Sequence, residues 1–355
     1  MSRVLAVNPG SSSLKLALVN SSDVEHSETL PRWDGDPSPL VRVIEEWNPD
    51  AIGHRIVHGG DRENHEMIDD DRVAYLAAFV PLAPDHQQQA IDAITVTRRL
   101  LPDLPQFACY DTVFHRTMPE ATQTYAVPQS WRDLGVRRYG FHGLSHASSA
   151  SQVRDILGVA SSRRHVSCHL GSGASLCAIL DGHSVDTTMG MTPLDGLVMG
   201  TRPGSLDPGL VTWLIEVHGV AVAEIENALH HRSGLLALGD HPDVPDLLDS
   251  ADPHAALAMD VYLHRIVTGI GAMAAALGGI DVLSFTGGVG EHVPEVRQRV
   301  GNRLEHLAVR VDAERNVAAQ PPTSVHEPTS SVPVLVLPAQ EEVQIARVTS
   351  ELIGG

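Results

Sequence analysis

The chain has 355 residues, 43% of them hydrophobic and 19% charged, and its 44 Asp and Glu against 25 Lys and Arg give a formal net charge of −19. That length exceeds what one hydrophobic core usually serves, so two domains are expected, while the acidic balance argues against nucleic acid or an anionic membrane as partner. Cys109, Cys168 and Cys177 are too few and too scattered for a disulfide framework, and neither a secretory h-region nor a bilayer-length apolar stretch occurs, so a soluble, cytoplasmic protein is expected.

Short valine-rich runs alternate with longer helical patterns, which predicts an α/β fold. In chain order, strands are expected near Val4–Val7 and Leu14–Val19, a helix near Pro39–Trp47, a strand near Ile52–Val57, a helix near His86–Leu101 and a strand near Phe107–Tyr110. A helix near Leu144–Leu157 follows, then strands near Val166–Leu170 and Ser175–Leu180 and helices near Pro208–His218 and Ala255–Leu277. A strand near Val282–Thr286, a helix near Val293–His306 and a strand near Val334–Leu337 complete the pattern. The Pro-, Ser- and Thr-rich stretch from Ala318 to Val332 reads as a surface loop.

Laying VLAVNPGSSSLKLALV (Val4–Val19) over HVSCHLGSGASLCAIL (His165–Leu180) without a gap pairs Gly10 with Gly171, Ser11 with Ser172 and Ala17 with Ala178. Each segment reads as strand, small-residue turn and strand. Either this is chance within an α/β chain, or two related domains each present such a hairpin. Small residues allow backbone N–H groups to surround a phosphate. NPGSSSLK also holds Lys15, the one lysine of the chain, but it lacks the second glycine of a P-loop, so a ligand-free turn is an equal reading.

Six further stretches bear on that choice. GHRIVHGG places Arg55 in a strand running into two glycines, and MGTRPGSLDPG places Arg202 in a Gly- and Pro-rich loop; an arginine so placed suits an anion, which its planar fork binds with two parallel bonds. CYDTVFH ends a strand with Asp111 and PAQEEVQIAR ends another with Glu341 and Glu342. Carboxylates there can hold a cation such as Mg²⁺ together with substrate phosphates, or cap the helix that follows. YGFHGLSH and SFTGGVGEH add a histidine between aromatic and glycine and a Gly-rich strand-to-helix turn suited to a nucleotide. His54/His58 and His142/His146 have i, i+4 spacing but lack the glutamate of a zincin, and no GxSxG occurs. Two arginines, a lone lysine, two carboxylate positions and several phosphate-sized turns form an inventory for phosphoryl transfer.

With these motifs on the page, the sequence resembles the acetate kinase family, within the superfamily of acetate and sugar kinases, Hsp70 and actin. NPGSSSLK, GHRIVHGG, YDTVFHRTMP, RRYGFHGLSH, CHLGSGAS, MGMTPLDGLVMGTRPGSLDPG and FTGGVGEH follow one another in family order between Val4 and about Arg347. The resemblance implies two ribonuclease-H-like domains flanking a nucleotide cleft, residues 1–115 with 343–355 and residues 116–342, together with hinge closure and a homodimer. It implies reversible transfer of the ATP γ-phosphoryl group to a short carboxylate, with Mg²⁺, or Mn²⁺ in its place, and ATP/ADP as co-substrate. Carried over residue by residue, Asn8 and Glu341 match the metal positions, Lys15 a nucleotide-phosphate contact, and Arg55 the carboxylate-binding arginine. Asp111, His142 and Arg202 match the catalytic residues, and Val57, Phe141 and Pro193 the apolar residues around the substrate methyl. His169, Leu170, Gly171, Ser172 and Gly173, with Gly288, Val289, Gly290, Glu291 and His292, match turns that touch the nucleotide.

The departures are local. Ser172 stands where the family's HLGNG has asparagine, and His292 closes a motif that usually ends in asparagine. DHPDVPDLL places Val244, Pro245 and Asp246 where an Asp-Phe-Arg lies at the nucleotide base and ribose, which leaves the adenine end less family-like than the phosphate end. LAPDH puts Asp85 where leucine is usual, so either Asp85 turns to solvent or caps the following helix, or the pocket takes a more polar acid. A loop between Arg62 and Pro84 reads as trimmed. A kinase using pyrophosphate, polyphosphate or another nucleotide, and a non-catalytic sensor of a nucleotide or metabolite, are the competing expectations.

Overall fold

The computed structural model describes residues 2–10, 13–31, 33 and 35–354, without the side chain of Asp85. Ser11 of the overlay and the expected contact of Asp85 therefore lie outside the described residues. The chain divides into two compact units, Met1–Arg116 with Phe141–Ser148 and Gln340–Gly355, and Thr117–Gly140 with Ser149–Ala339.

The first unit is built on a six-stranded sheet of β1 (Arg3–Pro9), β2 (Ser13–Asn20), β3 (Asp23–Pro31), β4 (Ala51–Ile56), β5 (Glu66–Met67) and β6 (Gln106–Tyr110), in the order β3-β2-β1-β4-β6-β5. Antiparallel β1, β2 and β3 form a meander, and β1, β4 and β6 run parallel. The parallel strands are near-continuous apolar runs because both faces are covered. Helices Ser38–Trp47 and Pro84–Leu100 enclose Leu5, Val7, Leu16, Leu18, Ile52 and Ala93 on one side, and each fully buried large side chain contributes about 1.5–3 kcal/mol. Helix Glu341–Gly354 covers the other side through Ile345 and Val348, packed with Ala6, Cys109 and Leu144. Gly53 permits that close approach, since a Cβ there would lie 2.3 Å from Thr349 Oγ1 and 2.6 Å from Ile345 Cγ2.

The second unit repeats the plan with β7 (Arg164–Leu170), β8 (Ala174–Leu180), β9 (His183–Thr187), β10 (Val282–Thr286), β11 (Thr323–Ser324) and β12 (Val334–Val336), in the order β11-β12-β10-β7-β8-β9. Read from the meander inward, the two sheets have the same sequence of antiparallel and parallel neighbours, and both meanders carry an irregularity between their second and third strands. The paired hairpins of the overlay are therefore equivalent elements of two like units. The register corrects the gapless overlay, because Pro9 pairs with Leu14 whereas Leu170 pairs with Ala174, so the second turn is one residue shorter. Helix Pro253–Ala276 and the Val153 turn of helix Gly143–Leu157 supply this unit's cover.

One expectation needs correction, and two further stretches gain detail. Ala318–Val332 is not wholly a surface loop, since Thr323–Ser324 pairs with β12 and Val325 and Val332 are buried; a two-residue strand is too short to show alternation. The stretch between Arg62 and Pro84 contains helix Asp70–Ala77, whose start is capped by Asp69 accepting from the Arg72 N–H at 2.7 Å. Phe141–Ser148 groups with the first unit, where Gly143 packs so closely that a Cβ on it would lie 1.8 Å from the Asp111 carbonyl oxygen.

Candidate active site

In the first unit, β1, β4 and β6 end side by side, the usual position of a site in an open parallel sheet. Asn8 lies near the end of β1, Arg55 near the end of β4, and Asp111 follows β6 directly. Helix Glu341–Gly354, seated on Gly53, starts at the same place, which gathers four sequence-predicted residues into one buried cluster.

Arg55 is its hub. Its Nη2 donates to Asp111 Oδ2 at 2.8 Å and its Nε reaches Asp111 Oδ2 at 3.2 Å, while Nη1 donates to Asn8 Oδ1 at 3.1 Å and lies 3.4 Å from Glu341 Oε2. The Asn8 amide nitrogen donates to Glu341 Oε2 at 2.9 Å and to Glu342 Oε1 at 2.7 Å. Two carboxylates on one side and a guanidinium on the other fix which end of this amide is nitrogen. Burial works to lower the Arg55 pKa, but the charges of Asp111 and Glu341 more than reverse it, so the group stays cationic. The Asp111 carboxyl is raised, chiefly by burial and further by Glu341, against the opposing pull of Arg55 and of the His142 backbone N–H.

His142 contributes that N–H from a backbone φ of 55°, a left-handed conformation uncommon outside glycine and of a kind that concentrates at functional sites. Phe141, just before His142, and Val57, two residues after Arg55, are buried at 1% and 3% exposure, and the His115 ring meets the Phe141 carbonyl at 2.9 Å. Lys15 pairs directly with Asn8 across the β1–β2 ladder and is exposed, so both side chains stand on one face of the sheet. Of the two histidine pairs, His54 and His58 do not act together. Burial lowers the His54 pKa to about 4, its Nε2 faces Gln106 Oε1 at 3.0 Å, and His58 lies against Phe79 and Phe141.

The donor set can be tested against Mg²⁺. Asp111, Glu341 and Glu342 present hard oxygens, and their three charges exceed the single one of Arg55, leaving an electrostatic demand for a cation. Among the described residues no three His, Cys, Asp or Glu side chains form a metal cage by themselves. The residues therefore fit an ion held by one or two carboxylates plus water and substrate phosphates. Asn8 spends its oxygen on Arg55 and its nitrogen on the two glutamates, so in this arrangement it orients the carboxylates.

The second unit holds the remaining candidates. Gly171 to Gly173 form the β7–β8 turn, closed by the Gly171 N–H to the Gly173 carbonyl at 2.9 Å, with Ser172 exposed at its tip. Gly287 opens helix Gly287–His292 at φ 79°, and a Cβ there would strike the Leu170 carbonyl at 2.6 Å. A Cβ on Gly171 would be 3.8 Å from the Gly288 nitrogen, so the two glycine segments abut, while Gly288 itself faces open space. Close backbone approach of this kind, with open space at Gly288, suits a phosphate better than a side chain would. Glu291 is turned inward, accepting from Gly287 N–H at 3.0 Å and Ala339 N–H at 2.9 Å, and His292 is exposed. Arg297, buried and bonded to the neutral oxygens of Gly290, Glu291 and Asn316, fixes the helix from its other end; burial lowers its pKa to about 10. Sequence reasoning missed Thr286, whose buried hydroxyl at the cap of this helix makes no hydrogen bond among the described residues.

Arg202 is half-buried in its loop, with Nη1 donating to the Pro193 carbonyl at 3.0 Å, which brings these two candidates together. Gly234, at φ 64°, presses on the Arg202 backbone: a Cβ there would lie 2.7 Å from its carbonyl oxygen. Val244, Pro245 and Asp246 open helix Val244–Asp249, which buries Val244 and Leu247 and exposes Pro245 and Asp246. That stretch thus packs the unit's core through its apolar residues.

Comparison with known proteins agrees with this geometry. The family model described as the Acetokinase family matches residues 42–347. The acetate kinase of Rhodopseudomonas palustris is 44% identical over 308 residues, covering 86% of this chain and 77% of the relative. The crystal structure of Porphyromonas gingivalis acetate kinase superposes with a TM-score of 0.89 at 33% identity, covering 99% of this chain and 100% of that one. That of a propionate kinase from Francisella tularensis does so with a TM-score of 0.89 at 32% identity, covering 99% and 100%.

Proposed function

The chain belongs to the acetokinase family and is a kinase acting on a carboxylate, and from that premise we propose that it transfers the γ-phosphoryl group of ATP to acetate, reversibly, giving acetyl phosphate and ADP. The observation that carries the reading is the buried Arg55 cluster, which holds an obligate cation and two or three carboxylates at the ends of the parallel strands. In this reading the first unit supplies Arg55 to orient the acceptor carboxylate, Val57 and Phe141 for its methyl group and Lys15 for phosphate. The second unit supplies Pro193 for the acid and the Gly171–Gly173 turn and Gly288 to His292 for the nucleotide. Asp111 and Glu341 would hold Mg²⁺, with Asn8 keeping them in place; when bound, the ion neutralises charge on the phosphates being separated.

A carboxylate nucleophile has no proton to lose, so Asp111 serves as an orienter rather than a base. The attacking oxygen forms a bond to the γ-phosphorus as the bond to the β,γ-bridging oxygen breaks, and ADP leaves with that electron pair. His142 and Arg202 would stabilise charge on the transferring group, where such stabilisation is worth most. Incubation with a short carboxylate, ATP and hydroxylamine tests the reading: an acyl hydroxamate is expected, and its absence overturns it. A propionate kinase of equal structural similarity keeps a neighbouring short acid as the second reading, and Asp85 belongs to the same question of acid preference.

Among the described residues no helix is long and apolar enough to cross a membrane. We also propose a homodimer. Helix Pro208–Glu216 buries none of its residues, and it exposes Trp213 at 50% and Val217 just beyond it at 65%, beside Leu206 and Leu210, the kind of apolar patch that marks an interface. Light scattering should give twice the chain mass for the native protein and a shift to the single-chain mass for Trp213→Glu. A native monomer would remove this part of the proposal.

A further inference from the structure

We propose that Gln87 is a positioning residue for the carboxylate side of the site. Gln87 is fully buried in the first turn of helix Pro84–Leu100. Its Oε1 accepts from the His58 N–H at 3.1 Å, and its Nε2 donates to the His58 carbonyl at 3.1 Å and to the Leu76 carbonyl at 3.3 Å. β4 ends at Ile56, so beyond that point the chain has lost its ladder partners. The Gln87 amide takes both main-chain bonds of His58 and stands in for a neighbouring strand.

The clamped segment leads directly from Arg55 and carries Val57. Its other ties converge on the same site. Gly59 N–H donates to Thr112 Oγ1 at 3.3 Å, next to Asp111, and Gly60 N–H donates to His58 Nδ1 at 3.1 Å. The His58 ring stacks on Phe79 at 4.9 Å and meets Phe141 edge-on at 5.4 Å, and Phe141 precedes His142. Releasing His58 therefore loosens Val57 and the support of Phe141 together.

This inference rests on the carboxylate-kinase reading, and the two fail separately. The wild-type enzyme is assayed first, and absence of acyl phosphate there is a failure of the reading. Gln87→Met then keeps the volume and removes all three bonds, while Gln87→Asn keeps an amide that is one methylene too short. The Met variant is expected to raise the KM for the carboxylate about tenfold or more, with the nucleotide KM changed less than about twofold. The Asn variant should fall between the Met variant and wild type, and it carries the test if the Met variant does not fold. A folded variant whose two KM values stay unchanged, or rise together, overturns the role.

Discussion

Replacing Arg55 by alanine is expected to lower kcat/KM for the carboxylate by about 10²–10³-fold and to destabilise the first unit at the same time. Arg55 bridges Asp111, Asn8 and Glu341, and its loss leaves buried Asp111 and Glu341 facing each other without a counter-charge. Breaking a buried pair in this way costs about 3–5 kcal/mol. The pH dependence follows from sign. Burial already raises the Asp111 pKa against the pull of Arg55, so without Arg55 it rises further, and the folded state then binds a proton more readily than the unfolded state does. Stability of the variant relative to wild type should therefore improve as pH falls through the carboxylate range and worsen as pH rises out of it. Thermal unfolding from pH 4 to 8 measures this, and a pH-independent deficit would mean that Asp111 does not feel the missing charge.

Arg202→Ala should lower turnover more than it weakens binding. Arg202 is half-buried, and its Nη1 donates to the Pro193 carbonyl, which holds the side chain in its loop. A cation that meets the transferring phosphoryl group only as charge redistributes is worth about 10³-fold or more in turnover. The expected result is a kcat lower by that order with KM values changed much less. Unchanged kcat would remove Arg202 from the chemistry.

The contrast between these variants shows what was legible in the sequence. Arg55, Asp111 and Glu341 lie at strand ends flanked by short apolar runs, so their position could be read from the pattern, whereas Asn8 was marked only by the family resemblance. The doubled hairpin was legible for the same reason, although the register of the second turn was not, because one residue of turn length leaves no mark on an apolar pattern. β3 was missed since its residues are mostly exposed and show no clear alternation. The left-handed backbone of His142 and the Gln87 clamp depend on segments distant in sequence, and nothing local in YGFHGLSH or DHQQQ announces them. In DHPDVPDLL the departure from the family's base-binding residues was legible, and the apolar spacing of Val244 and Leu247 belongs to a short helix that buries both.

The central claim is tested most directly by acyl-phosphate formation, trapped as hydroxamate, across acetate, propionate and glycolate as acceptors and ATP, GTP and pyrophosphate as donors, each with Mg²⁺. Product is predicted with acetate and ATP, falling with the bulk or polarity of the acid and with any other donor. Absence of product in every combination, from a protein that still binds nucleotide, would contradict a carboxylate kinase and favour a sensor.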